Sequence, residues 1–187
     1  GFIQEVMETI IEPTAKAMRH GDMPFVGVLF AGLMLTPEGP KLIEYNARFG
    51  DPECQVLLAR FEGDLAALLM ACARGHLDRA PSFSLSANSA ALVVLAAQGY
   101  PDSPVTGSEI RGEQRASQVV GGVLLHAGTR RDEDGRLRSV GGRVLNAVGV
   151  APAMDQAVAR AYQVADAIDW PLGFCRRDIG QKALNFE

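Results

Sequence analysis

The chain has 187 residues, 48% hydrophobic and 21% charged, with a formal net charge of −4. That balance suits one core of ordinary size or two small ones and carries no sign of disorder, while a net negative charge argues against a nucleic-acid binder, whose phosphate contacts need a basic surface. With no apolar run of membrane-spanning length and no signal-peptide pattern at the start, no membrane partner is expected, and the expected compartment is the cytoplasm.

Gly1-Phe-Ile-Gln-Glu begins inside an amphipathic helical pattern, with no methionine and no strand before it, which reads as a cut chain. Ile3, Val6, Ile10 and Ile11 recur at helical spacing up to Pro13, and Ala17 and Met18 continue the apolar face. Pro13 is expected either to kink this helix or to restart it. An apolar strand over 25–35 and a turn at Thr36-Pro37-Glu38-Gly39-Pro40 come next.

The following strand carries the densest chemistry. Glu44, Asn46 and Arg48 stand at alternate positions, so on a strand they project from one face. The first two offer hard oxygen ligands, and the guanidinium is a fork matched to phosphate or carboxylate. Such a set suits nucleotide chemistry, yet the solvated face of any antiparallel strand also alternates in this way. The context favours a site, because the loop Phe49-Gly50-Asp51-Pro52-Glu53, glycine-containing and acidic, follows the row at once.

After the loop a short helix is expected over 55–61, and Asp64 can cap a second over 65–74 that Gly75 stops. Cys54, Cys72 and Cys175 are odd in number, widely separated and without C-x-x-C spacing, which indicates neither a disulfide framework nor a zinc site. No sequence feature supplies a base that would make Cys54 a nucleophile. Residues 80–87 form a connector of small residues and proline, and a domain boundary is expected near 80–88. Strands are then expected over 90–97, 122–128 and 143–150, followed by a helix over 153–168. Its stripe of Met154, Val158, Ala161, Tyr162 and Ala165 reads as core. The fold class is α+β, with one domain over 1–80 and a second over 81–187. His126, alone in a strand, reads as a satisfied core or edge residue. Arg143, Arg176 and Arg177 are open between phosphate contacts and structural salt bridges.

The run GVLFAGLML…PKLIEYNARFGDPE, followed by AAQGYP (96–101), HAGT (126–129), GGRVLNAVGV (141–150) and FCRRDIG (174–180), resembles the phosphoribosylamine–glycine ligase family of ATP-grasp enzymes, also called glycinamide ribonucleotide synthetases. The likeness spans nearly the whole chain. EYN alone is shared with many ATP-grasp enzymes, whereas ARFGDPE together with GGRVL and RRDIG in this order is far more specific.

The resemblance implies the C-terminal part of an ATP-grasp domain over 1–80, followed by a small mixed or antiparallel sheet domain with a packed helix over 81–187. In the family an N-terminal domain, the glycine-rich flap and the lysine and hinge residues that hold ATP lie upstream of such a helix. The chain is therefore expected to be a C-terminal fragment, inactive alone, whose partner is the missing N-terminal half of the same enzyme. The implied reaction is ATP-dependent joining of glycine to 5-phosphoribosylamine through a glycyl phosphate, giving glycinamide ribonucleotide, ADP and phosphate in purine biosynthesis. Glu44 and Asn46 are the implied ligands of Mg²⁺ or Mn²⁺. Arg48 is the implied catalytic and substrate-binding residue, and Gly50, Asp51, Pro52 and Glu53 form the implied substrate loop. Asp51 and Glu53 have a second reading as acids favoured at the start of the next helix. Many ATP-grasp enzymes place a further acidic ligand on the preceding strand, but Phe30-Ala31-Gly32-Leu33 offers none. Two other functions stay open: a sister ATP-grasp ligase or carboxylase, and a non-catalytic remnant or interaction module.

Overall fold

Helical structure runs without a break from Phe2 to His20 in the computed structural model, which describes residues 1–184. Helix α1 (Phe2–Val6) leads into a π turn (Met7–Ile11), and α2 (Glu12–His20) follows directly. Pro13 does not restart the helix. It has no N–H to give, and the π turn just before it takes up the change, with the Glu12 N–H reaching the Met7 carbonyl five residues back. The hydroxyls of Thr9 and Thr14 donate to the carbonyls of Glu5 and Ile10, both at 2.7 Å.

Strands β1 (Phe30–Thr36) and β2 (Gly39–Asn46) form an antiparallel hairpin. The strand expected over 25–35 begins only at Phe30, because Gly27 sits at φ +149°, in a region that glycine enters and an extended ladder does not. The turn closes on Thr36 opposite Gly39, whose φ of +101° again requires glycine. The register shifts once: Gly32 pairs with Glu44 but Leu33 with Leu42, so Ile43 is the extra residue of a bulge.

Helix α3 (Glu53–Ala59) begins two residues before the expected start and ends early, because Phe61 enters a short strand β3 (Phe61–Glu62). Helix α4 (Leu65–Ala73) is capped as expected, with Asp64 Oδ1 accepting from the Ala67 N–H at 2.9 Å, and Gly75 beyond its end lies at φ +69°. A 3₁₀ turn (Leu77–Arg79) leads to β4 (Ser84–Leu85), which pairs with β3.

The chain divides into two compact units, Gly1–Asp51 with Gly63–Phe83, and Pro52–Glu62 with the chain from Ser84 onward. In the first unit no residue of α1, α2, α4, β1 or β2 is buried.

The core lies in the second unit, along β5 (Ser89–Ala97), β6 (Glu109–Ile110), α5 (Glu113–Ala116), β7 (Gly122–His126), β8 (Thr129–Arg131), β9 (Leu137–Ser139), β10 (Arg143–Ala151), α6 (Met154–Asp166), β11 (Gly173–Phe174) and α7 (Gln181–Leu184). An antiparallel sheet of order β11-β5-β10-β7 carries α6 on one face, and a smaller sheet has the order β6-β9-β8. Alternation along β5 sends Ala91, Val93, Leu95 and Ala97 into the cluster with Leu145, Ala147 and the α6 residues Ala157, Val158, Ala161, Val164 and Ala165. Burying each Val or Leu side chain contributes about 1.5–3 kcal/mol. Two members of the expected helical stripe are not fully in this core: Met154 stays exposed at the helix start, and Tyr162 is half-buried. Strand β7 stops at His126, two residues short of expectation, because Ala127 and Gly128 turn the chain into β8. Inside this unit Trp170 Nε1 donates to Ser108 Oγ at 2.8 Å, and Ser108 is bonded to Ser139 at 2.9 Å.

Candidate functional site

Strand β2 places Glu44 and Asn46 on one face at its C-terminal end, with Tyr45 between them on the other. Asn46 Nδ2 donates to Glu44 Oε1 at 3.0 Å, so the amide and carboxylate stand together. Gly32 lies opposite Glu44, and Phe30 opposite Asn46. The absence of a Cβ at Gly32 leaves room for the Glu44 chain, whose Cγ would be 3.1 Å from one.

Arg48 does not continue the row as the alternation predicts. Pairing with β1 ends at Asn46 opposite Phe30, and Ala47 and Arg48 form a bend. With no strand to hold its direction, the Arg48 guanidinium turns onto the loop and Nη1 donates to the Phe49 carbonyl at 2.8 Å. A guanidinium carries five N–H donors, and the Arg48 side chain is exposed.

Gly50 is buried, while Asp51 is exposed. Pro52 is the N-cap residue of α3, without a side-chain cap bond, and Glu53 is the acid in the first turn, where the helix dipole favours it. Asp51 precedes the cap. Asp51 thus ends the first segment of the first unit, and Pro52 and Glu53 open the second unit.

Among the described residues, no three of His, Cys, Asp and Glu come together as a metal cluster. Glu44 and Asn46 therefore stand as a pair. One carboxylate and one amide fit a hard cation that completes its shell with water and the oxygens of a ligand.

The remaining candidates lie in the second unit. His126 is held in a structural network: Nδ1 is 3.0 Å from Thr129 Oγ1, and Nε2 is 3.4 Å from Glu113 Oε1, which also takes Arg131 at 2.8 Å. Arg176 forms a two-pronged pair with Asp178 and holds that carboxyl below its usual range. Arg177 pairs with Asp166 at 2.7 Å and lies 5.5 Å over the Tyr162 ring. Arg143 and Arg176 line a cavity of about 380 Å³ whose floor is Leu92, Val94 and Ala96 and whose wall includes Tyr100. The three cysteines are half-buried thiols, and burial pushes Cys175 up from its ordinary value. Tyr45, Gly32 and Tyr100 were not singled out from the sequence. Only Tyr45 had a signal there, its position between the two oxygen donors.

Two family models match the chain, "Phosphoribosylglycinamide synthetase, ATP-grasp (A) domain" over residues 2–54 and "Phosphoribosylglycinamide synthetase, C domain" over residues 90–182. A phosphoribosylamine–glycine ligase of Mesorhizobium japonicum is 50% identical over 184 residues, covering 98% of this chain and 42% of the relative. A chloroplastic phosphoribosylamine–glycine ligase of Arabidopsis thaliana is 48% identical, covering 96% of this chain and 34% of the relative. The crystal structure of a phosphoribosylamine–glycine ligase from Thermotoga maritima superposes with a TM-score of 0.80 at 30% identity, covering 94% of this chain and 42% of that one. The chain spans about two fifths of the length of the bacterial relatives it matches.

Proposed function

Because the chain belongs to the phosphoribosylglycinamide synthetase family, we propose that it supplies the metal-holding strand, the substrate loop and the C domain of an ATP-dependent ligase that joins glycine to 5-phosphoribosylamine. Residues 1–80 are read as the C-terminal part of the ATP-grasp domain and 81–187 as the small C-terminal domain, with Pro52–Glu62 packed into the latter's unit. The observation that carries this reading is the Glu44–Asn46 pair at the end of β2, followed at once by Arg48 and the GDPE loop.

The reaction brings two anions together. A glycine carboxylate oxygen forms a bond to the γ-phosphorus of ATP as the bond to ADP breaks, giving glycyl phosphate. The amine of 5-phosphoribosylamine then attacks the acyl carbon, phosphate leaves, and the amine loses a proton. Glu44 and Asn46 would hold Mg²⁺ or Mn²⁺ together with phosphate oxygens, and the cation would supply charge neutralisation at the transferring phosphoryl group. Arg48, tethered by one donor to the Phe49 carbonyl, keeps a planar set of N–H groups for phosphate, a geometry that lysine lacks. Asp51 and Glu53 would bring carboxylates to the ammonium group of glycine, on a loop in which Gly50 is buried and Asp51 and Pro52 form a turn. The partner in this reading is the N-terminal half of the same enzyme; the chain itself matches 42% of the Mesorhizobium japonicum relative. A cytoplasmic location goes with small soluble substrates of this kind, although the Arabidopsis thaliana relative is named chloroplastic.

The deciding experiment fuses the upstream region of the Mesorhizobium japonicum relative to this chain. It follows glycine-dependent ADP formation with Mg²⁺, ATP and 5-phosphoribosylamine generated in place. Turnover that requires glycine and the phosphorylated amine is the expected result; ADP release indifferent to both would refute the ligase.

A further inference from the structure

Tyr45 separates Glu44 from Asn46 in sequence and faces away from both. Its hydroxyl reaches the helix at the π turn, donating to Thr14 Oγ1 in a short contact, with the Ile10 carbonyl oxygen 3.3 Å away. Thr14 Oγ1 donates to that same carbonyl at 2.7 Å, so three groups from two elements close on one point. The partners are 31 and 35 residues away in sequence, so this is a tertiary tie and not a local one.

The tie has a consequence for the opposite face. Successive side chains alternate along a strand, so a Tyr45 fixed on the helix leaves Glu44 and Asn46 only the other side. The bulge at Ile43 lies two residues upstream, where ladder pairing is interrupted and the strand twists more freely. An anchor just past the bulge removes that freedom where the oxygen donors begin. Pro13 and the π turn are part of the same device, since they shape the helix where it presents the Ile10 carbonyl and Thr14.

We propose that Tyr45 is a positioning residue for the Glu44–Asn46 pair, acting through Thr14 and the Ile10 carbonyl to set the rotation of β2. This rests on the reading of Glu44 and Asn46 as the metal-holding pair. A merely structural role, gluing helix to hairpin, would change stability and leave the pair's geometry alone.

The test uses the ¹⁵N-labelled chain and two readouts. Without metal, the exchange of the Asn46 side-chain NH₂ with water reports its bond to Glu44. With Mn²⁺, paramagnetic broadening of β2 amides reports cation binding. Tyr45→Phe should speed the exchange and raise the half-broadening Mn²⁺ concentration by about fivefold each, the scale of one lost hydrogen bond. Thr14→Val should do the same, Thr14→Ser should restore wild-type values, and the double variant Tyr45→Phe/Thr14→Val should be no worse than the worse single. A lowered Tm with both readouts within about twofold of wild type, below the worth of one such bond, overturns the proposal. If Tyr45→Phe fails to fold, Thr14→Val against Thr14→Ser decides by the same readouts. Wild-type broadening that is absent, or insensitive to Glu44→Gln, defeats the metal reading instead, and the metal-free exchange still decides the positioning.

Discussion

Gly32 stands directly opposite Glu44 in the β1–β2 ladder, and a Cβ placed on it would lie 3.1 Å from Glu44 Cγ and 3.8 Å from Glu44 Oε1. The space that a side chain on β1 would fill is the space the Glu44 chain uses. Gly32→Ala should therefore push Glu44 off Asn46. Glu44 is exposed and can swing toward water, so stability should change by no more than about 0.5 kcal/mol. Thermal denaturation alongside a Mn²⁺ titration checks both halves, and undiminished Mn²⁺ affinity would show that Glu44 finds room.

In the fused, longer protein, Glu44→Gln keeps the shape and removes the charge. Turnover should fall by about 100-fold or more, equivalent to about 2.7 kcal/mol of transition-state stabilisation. The circular dichroism spectrum and Tm should be unchanged. Near-normal turnover would take Glu44 out of the site.

Arg48→Lys in the same protein should lower turnover more than stability, because a lysine keeps the charge but loses the planar fork. Among the described residues the tether to the Phe49 carbonyl is what folding has at stake, and that bond is exposed. A steady-state comparison with wild type suffices; equal kcat/KM would remove Arg48 from catalysis.

Gly149 lies beneath α6, where a Cβ would come within 2.1 Å of the Ala157 carbonyl oxygen and 2.4 Å of the Ala161 nitrogen. Both obstacles are backbone and cannot turn aside. Gly149→Ala should lift the helix from the sheet and cost about 3 kcal/mol or more, at the upper end of overpacking penalties. Urea denaturation measures it, and a loss below about 1 kcal/mol would mean that α6 slides without resistance.

Acid should weaken the fold through three carboxylates. Hydrogen bonding by Arg138 holds Asp132 below its usual value, and Arg176 and Arg111 do the same for Asp178 and Glu109. A carboxyl whose folded pKa lies below its unfolded one contributes stability above the unfolded value, near about 4. That contribution is lost as pH falls through the folded value. Urea midpoints should therefore drop from pH 7 to pH 3, and Asp132→Asn should flatten the drop. A pH profile unaltered by that substitution would exclude Asp132 as a contributor.

Features fixed by near neighbours were legible in the sequence. The Asp64 cap, the stop at Gly75, the inward alternation of β5 and the apolar stripe of α6 each depend on a few consecutive residues. The start of β1 was less so, because one glycine at φ +149° withheld five residues from an apolar run that otherwise reads as strand. Arg48 shows the same limit at the site. Its alternation with Glu44 and Asn46 is in the sequence, but the direction of its side chain depends on where β1 stops pairing.

By itself the sequence determined which chemical groups this protein can present, a carboxylate and an amide two residues apart with a guanidinium and an acidic glycine loop behind them. The tertiary structure decided how they are held. The bulge at Ile43, the gap at Gly32 and the anchoring of Tyr45 on Thr14 and Ile10 all join residues at least nine positions apart. Likewise, Pro52–Glu62 packs with the unit that resumes at Ser84, although Gly63–Phe83 comes between them. Local periodicity encodes the direction of a side chain relative to its own backbone. It does not encode which distant segment will lie against it, and that is settled only when the chain has folded.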